Sequence, residues 1–163
     1  MRNINLCRSL FAAALIALSA CTDGGLPSGP APLAATAAQV AVPSVGFLAM
    51  VNAQRATAGL PAATADARLT AAAQGHAEAM VAGDFFSHTG ANGSNSSERI
   101  RASGYTTCRS SENIAFGQRT EAEVFQTWVN SPPHLANIMM RGTIQYGLGR
   151  AGNKWVLDVA GVC

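Results

Sequence analysis

The chain has 163 residues, 48% of them hydrophobic, 12% charged and 6% aromatic, with a formal net charge of +2, a length suited to one domain of ordinary size rather than two. Arg2 and Arg8 fall in a stretch that reads as a removable leader, and without them nine basic residues face nine acidic ones. So neutral a product has no basic stripe for phosphates, which excludes a nucleic-acid partner, and no apolar run reaches the roughly 20 residues of a bilayer-spanning helix.

Residues 1–20 read as a signal peptide, with a short basic head ending at Arg8 and an apolar stretch from Ser9 to Ala20. Leu18-Ser19-Ala20-Cys21 resembles a bacterial lipobox, which predicts acylation of Cys21, palmitate included, and a stable membrane anchor of several acyl chains. Thr22 rather than Asp follows, so in a two-membrane envelope the expected destination is the outer membrane, at its periplasmic or outer-surface face. Residues 21–43 are rich in Ala, Pro, Gly, Ser and Thr and predict a disordered tether. Fully extended it reaches about 70 Å.

Four cysteines then sort themselves. Cys7 leaves with the leader and Cys21 carries lipid, so Cys108 and Cys163 form an even pair in an oxidising compartment and are predicted to be joined.

The folded domain is expected over 44–163. Ser44 caps a first helix with Phe47, Leu48 and Val51 that stops at Gly59. Asp66 caps a second, whose apolar stripe is Leu69, Ala72, Ala73, His76, Ala77, Met80 and Val81, and Gly83-Asp84 ends it. The loop Gly90–Ser97 leads to a short helix near Glu98–Ala102. Thr120-Glu121-Ala122-Glu123 is a capping box opening a helix that buries Val124, Phe125, Trp128 and Val129. Ser131-Pro132-Pro133-His134 stops that helix and starts another. Gln145–Gly149 and Trp155–Val159 read as strands around the turn 151–153. Helices first and strands late indicate an α+β layered domain.

The three histidines differ in setting. His76 lies on the apolar stripe and reads as a core or cleft-edge residue. His88 follows Phe85-Phe86-Ser87 just past a helix end, and His134 stands at a Pro-fixed helix start. Imidazoles in such places serve as metal ligands or acid–base groups. Glu112 is a lone carboxylate in a strand-like apolar segment and needs a partner, which two imidazoles would provide. Two His and one Glu also make a catalytic-zinc ligand set. No HExxH, CxxC pair, GxSxG elbow or phosphate loop accompanies them.

Six motifs occur in order: Asn52-x-x-Arg55-x-x-x-Gly59-Leu60, Leu69-x-x-x-Ala73-x-x-His76-Ala77-x-x-Met80, Phe86-Ser87-His88, Glu112-Asn113-Ile114-Ala115, Trp128-x-x-Ser131-Pro132-x-His134 and Gly147-x-Gly149. Together they resemble the bacterial branch of the CAP superfamily, whose SCP domain is shared with cysteine-rich secretory proteins, venom antigens and plant pathogenesis-related proteins. The resemblance implies an α–β–α sandwich with a central, mostly antiparallel sheet and a cleft. It further implies a site of two His and two Glu able to hold a divalent metal, often zinc. His88, Glu112 and His134 match three of the four. The second glutamate's position is Pro132, and the glycine expected before Glu112 is Ser111.

Three functional readings follow. The leading one is a lipid-anchored envelope module, expected to be a monomer, that binds a small ligand or an envelope protein at a cleft holding zinc or another divalent metal. The alternative is a metal-dependent peptidase or esterase, with His88 and His134 on zinc and Glu112 as ligand or water activator. In the third, the three residues form only a buried hydrogen-bond network that stiffens the cleft.

Overall fold

A computed structural model describes residues 45–163 of the chain. The signal peptide 1–20, Cys21 and its tether to 43, and the Ser44 cap lie outside the described residues. Five helices and four strands follow in the order α1 (Val45–Ala56), β1 (Thr64–Ala65), α2 (Ala67–Ala82), α3 (Ser96–Ala102), β2 (Arg109–Phe116), α4 (Glu121–Val129), α5 (Pro132–Ile138), β3 (Ile144–Ala151) and β4 (Lys154–Gly161).

The strands form one sheet ordered β1-β3-β4-β2, with β1 parallel to β3 and the other pairs antiparallel. The two-residue β1 carries too little pattern to be read from sequence. Strand β4 is central and buried throughout, and its alternation divides the protein into layers. Trp155, Leu157 and Val159 meet Phe47 and Val51 of α1, Phe125 and Trp128 of α4, and Ile138 of α5. Val156 and Ala160 face the other way, toward the Leu69, Ala73, Ala77 and Met80 stripe of α2 and Ile100 of α3. This is the expected α–β–α sandwich.

Two glycines set how closely α2 lies on the sheet. A Cβ on Gly147 would overlap the Leu69–Thr70 peptide, and one on Gly149 the Ala73–Gln74 peptide. The Gly147-x-Gly149 spacing of the sequence therefore clears one strand face for direct backbone contact.

The caps largely follow the sequence. Asp66 accepts from the Arg68 N–H at the start of α2, and Asn95 and Glu98 close a reciprocal capping box on α3. Thr120 accepts from the Glu123 N–H, but the Glu123 carboxylate takes the Arg119 N–H in place of that of Thr120. Two expectations are corrected. Val81 is 46% exposed, because the helix stripe has rotated off the sheet by its last turn. The short helix begins at Ser96, two residues early, where Asn95 supplies the cap.

Buried cations tie the loops down. The Arg55 guanidinium, fully buried, donates to the carbonyls of Pro61, Ile138, Met140 and Gly142 at 2.8–2.9 Å. Cys108 and Cys163 are joined, with Cα atoms 5.5 Å apart, so the start of β2 is bound to the segment after β4.

Candidate functional site

The site forms where three segments converge on the α2 side of the sheet. The first is the chain leaving α2. Its Met80 and Phe85 carbonyls accept from the Lys154 Nζ at 2.7 and 2.8 Å, which pins the exit of the helix to β4. Two residues on, the Ser87 carbonyl lies 2.9 Å from Nε2 of His76. His76 is 1% exposed, so the apolar-stripe histidine is a core residue, and it anchors the segment carrying His88. Burial lowers its pKa, against an opposing pull from the Glu112 charge.

The second segment is α3, which places Arg99. The third is β2, the edge strand facing away from β3, which carries Glu112 opposite Asp158 of β4.

Glu112 is held from both sides. Its Oε1 lies 2.7 Å from Nδ1 of His88, and its Oε2 accepts from Nη2 of Arg99 at 2.6 Å. The same Arg99 nitrogen donates to the His88 carbonyl at 3.0 Å, while Nη1 donates to the Ser94 carbonyl at 2.8 Å. Side-chain exposure runs 2% for Glu112, 12% for Arg99 and 58% for His88. A carboxylate only accepts, so Nδ1 of His88 carries the proton of this bond. The result is an exposed imidazole backed by a buried, ionically paired carboxylate.

His134 approaches from the opposite face of β2. Its carbonyl accepts from the amide of Asn113 at 3.0 Å, and Asn137 completes the bridge by donating to Asn113 Oδ1 at 2.7 Å. The buried Nδ1 of His134 makes no hydrogen bond with a protein group. Burial depresses the pKa of this imidazole, and the proximity of His88 depresses it further.

Sequence reasoning expected two imidazoles to satisfy Glu112. The structure supplies one imidazole and the Arg99 guanidinium. Nothing local in the sequence singles out Arg99, and the packing of α3 on β2 brings it to Glu112. Asp158 was also missed. It is fully buried, neither carboxyl oxygen has a hydrogen-bond partner in the protein, and burial together with the Glu112 charge raises its pKa well above the usual carboxylate range. A lone acid inside the apolar run Trp155–Ala160 was the available signal.

The metal implied by the resemblance finds a poor fit. Among the described residues no three His, Cys, Asp or Glu side chains are arranged to hold an ion. Both oxygens of Glu112 are engaged, one by a permanent cation, and almost none of the side chain is open to a further ligand.

The layered sheet and this paired carboxylate define an SCP-type α–β–α domain. Residues 48–162 match the CAP family model, described as the cysteine-rich secretory protein family, and the chain belongs to that family. It is 28% identical over 114 residues to the uncharacterized protein YkwD of Bacillus subtilis (strain 168), covering 69% of this chain and 44% of that protein, so it spans less than half the length of this relative. Among solved structures, it is similar to an extracellular SCP-domain protein of Bacillus anthracis str. Ames (TM-score 0.69, 21% identity, 72% of this chain and 39% of that one). It is also similar to an outer surface protein of Borrelia burgdorferi (TM-score 0.63, 18% identity, 72% and 90%). At these identities the likeness establishes the fold.

Proposed function

We propose that this protein is a binding module of the cell envelope, held there by lipid on Cys21, which receives a small ligand or an envelope protein at the His88–Glu112–Arg99 site. One observation carries the reading: a buried Glu112 fixes the orientation of an imidazole whose side chain is itself largely exposed. An oriented imidazole at the surface costs a ligand little reorganisation when it hydrogen-bonds there. Phe86, two residues before His88, and Phe116, at the far end of β2, are 50% and 56% exposed with ring centroids 6.1 Å apart, and they offer apolar area near it. An envelope location agrees with the descriptions of the two solved relatives as extracellular and outer-surface proteins. Among the described residues no helix is long and apolar enough to cross a membrane.

The test is a titration of the soluble protein, from Thr22 onward, with a small-molecule and envelope-polymer library, following the His88 ring resonances. Ligands that shift those resonances and fail to bind His88→Ala support the module. A library in which every bound ligand leaves His88 unmoved would refute it. Anchoring is checked separately by moving Cys21→Ser, which is expected to release the protein from the membrane fraction.

A hydrolase using the same site is the second reading. A carboxylate-backed imidazole also has the geometry of a general base. Turnover of peptides or esters that disappears in both His88→Ala and Glu112→Gln would favour it over simple binding. A metal-dependent version would need an open oxygen on Glu112.

A further inference from the structure

Besides the lack of a third ligand, the misfit between this site and a metal has a cause on α3. We propose that Arg99 is a built-in cation, a positioning residue that occupies the charge-neutralising place at Glu112 and excludes divalent metal from the site. This deepens the reading of the same site as a binding surface and rests on it.

A carboxylate buried as deeply as Glu112 needs a partner that offsets its lost hydration, and the Arg99 guanidinium lies on it at 2.6 Å. A metal ion entering at that oxygen would have to displace the guanidinium or sit beside it. Displacement breaks more than one contact, because Arg99 also donates to the carbonyls of His88 and Ser94. Coexistence places two cations around one carboxylate in a poorly hydrated site, where their repulsion is strong. The position of Arg99 is itself specified: the Asn95–Glu98 capping box sets the start of α3, and Ile100, next to Arg99, is fully buried under α2. A lysine would provide the charge as a single point, whereas the planar fork reaches three acceptors in three chain segments. Its charge extends inward as well, where it opposes the upward shift of the Asp158 carboxyl.

The experiment compares zinc binding to the wild type, Arg99→Met and Arg99→Lys, read by competition with a chromophoric chelator, by the His88 ring resonances and by the zinc dependence of Tm. The wild type and Arg99→Lys are expected to show no stoichiometric zinc and no shift of Tm. Arg99→Met, with Glu112 uncovered, is expected to gain stoichiometric zinc, perturbed His88 resonances and a zinc-dependent rise of several degrees in Tm. Adding His88→Ala to Arg99→Met abolishes the gain. Where Arg99→Met does not fold unaided, Arg99→Gln retains a donor toward Glu112 and carries the same comparison. Stoichiometric zinc in the wild type that is lost in His88→Ala would overturn the proposal. A folded Arg99→Met or Arg99→Gln indifferent to zinc would overturn it equally. These readings need no ligand, so failure of the ligand titration leaves them standing and the two ideas are judged apart.

Discussion

The imidazole of His88 and the carboxylate of Glu112, 24 residues apart in sequence, meet at 2.7 Å with opposite exposures, 58% against 2%. The buried partner holds the exposed one, so removing either has a different effect. His88→Ala takes away a solvent-facing ring and is expected to cost under about 1 kcal/mol of stability while abolishing ligand contacts. Glu112→Ala strands the mostly buried Arg99 without its counter-charge and is expected to cost about 3–5 kcal/mol. Urea unfolding of the two variants side by side checks the asymmetry; equal losses would contradict it.

Asp158 predicts a pH dependence of definite sign. Its folded pKa is raised, so the folded state retains a proton that the unfolded chain releases near pH 3.9. Its contribution is therefore complete below that value and declines as pH rises toward the folded pKa, by at most about 1.4 kcal/mol per pH unit. Asp158→Asn is expected to remove this decline and to match or exceed wild-type stability at neutral pH. His76 acts in the opposite direction: its pKa is lowered by burial, so its contribution is present above about pH 6.5 and is lost as pH falls toward the folded value. Denaturant unfolding of wild type and Asp158→Asn across about pH 4–8 separates the two slopes.

The Arg55 guanidinium makes four hydrogen bonds, all to main-chain carbonyls, one in the α1–β1 loop and three from the end of α5 into the loop before β3. Arg55→Lys retains the charge and loses the fork, leaving carbonyls unpaired at about 1–3 kcal/mol. A thermal melt reports the loss, and hydrogen exchange is expected to quicken first between Pro61 and Gly142.

Gly147→Ala forces a methyl into the Leu69–Thr70 backbone. A helix cannot yield there without lifting off the strand, so the expected cost is about 3 kcal/mol or more. Gly152→Ala offers the contrast: its nearest neighbour is a Val81 methyl at 3.8 Å, and its penalty comes from φ +55 alone, about 1 kcal/mol. Melting temperatures of the two variants test whether close packing or turn conformation dominates.

Replacing Cys163 by Ser opens a loop whose ends lie 55 residues apart, at an expected cost of about 4 kcal/mol on the chain-entropy account. A free-thiol assay on the denatured wild-type domain is expected to find neither Cys108 nor Cys163 reactive. Two reactive groups would contradict the bond.

Local chemistry in the sequence was enough for much of this protein. The Asp66 cap, the Leu69–Met80 stripe and the two late strands are periodicities and turn residues that act within a few positions, so they are legible without the fold, whereas the clearance at Gly147 and Gly149 is visible only once α2 lies on the strand. The Cys108–Cys163 pair followed from counting. The site was legible only in part. Glu112 stood out because a lone acid in an apolar strand demands a partner, and His88 because it follows aromatics at a helix end. Which cation meets Glu112 depends on how α3 packs against β2, a contact between residues 13 apart that no local pattern announces. Whether His134 joins the pair depends on which face of the edge strand α5 covers, and it covers the other one. Charge pairing acts through space, so tertiary packing alone decided that Arg99 holds the carboxylate.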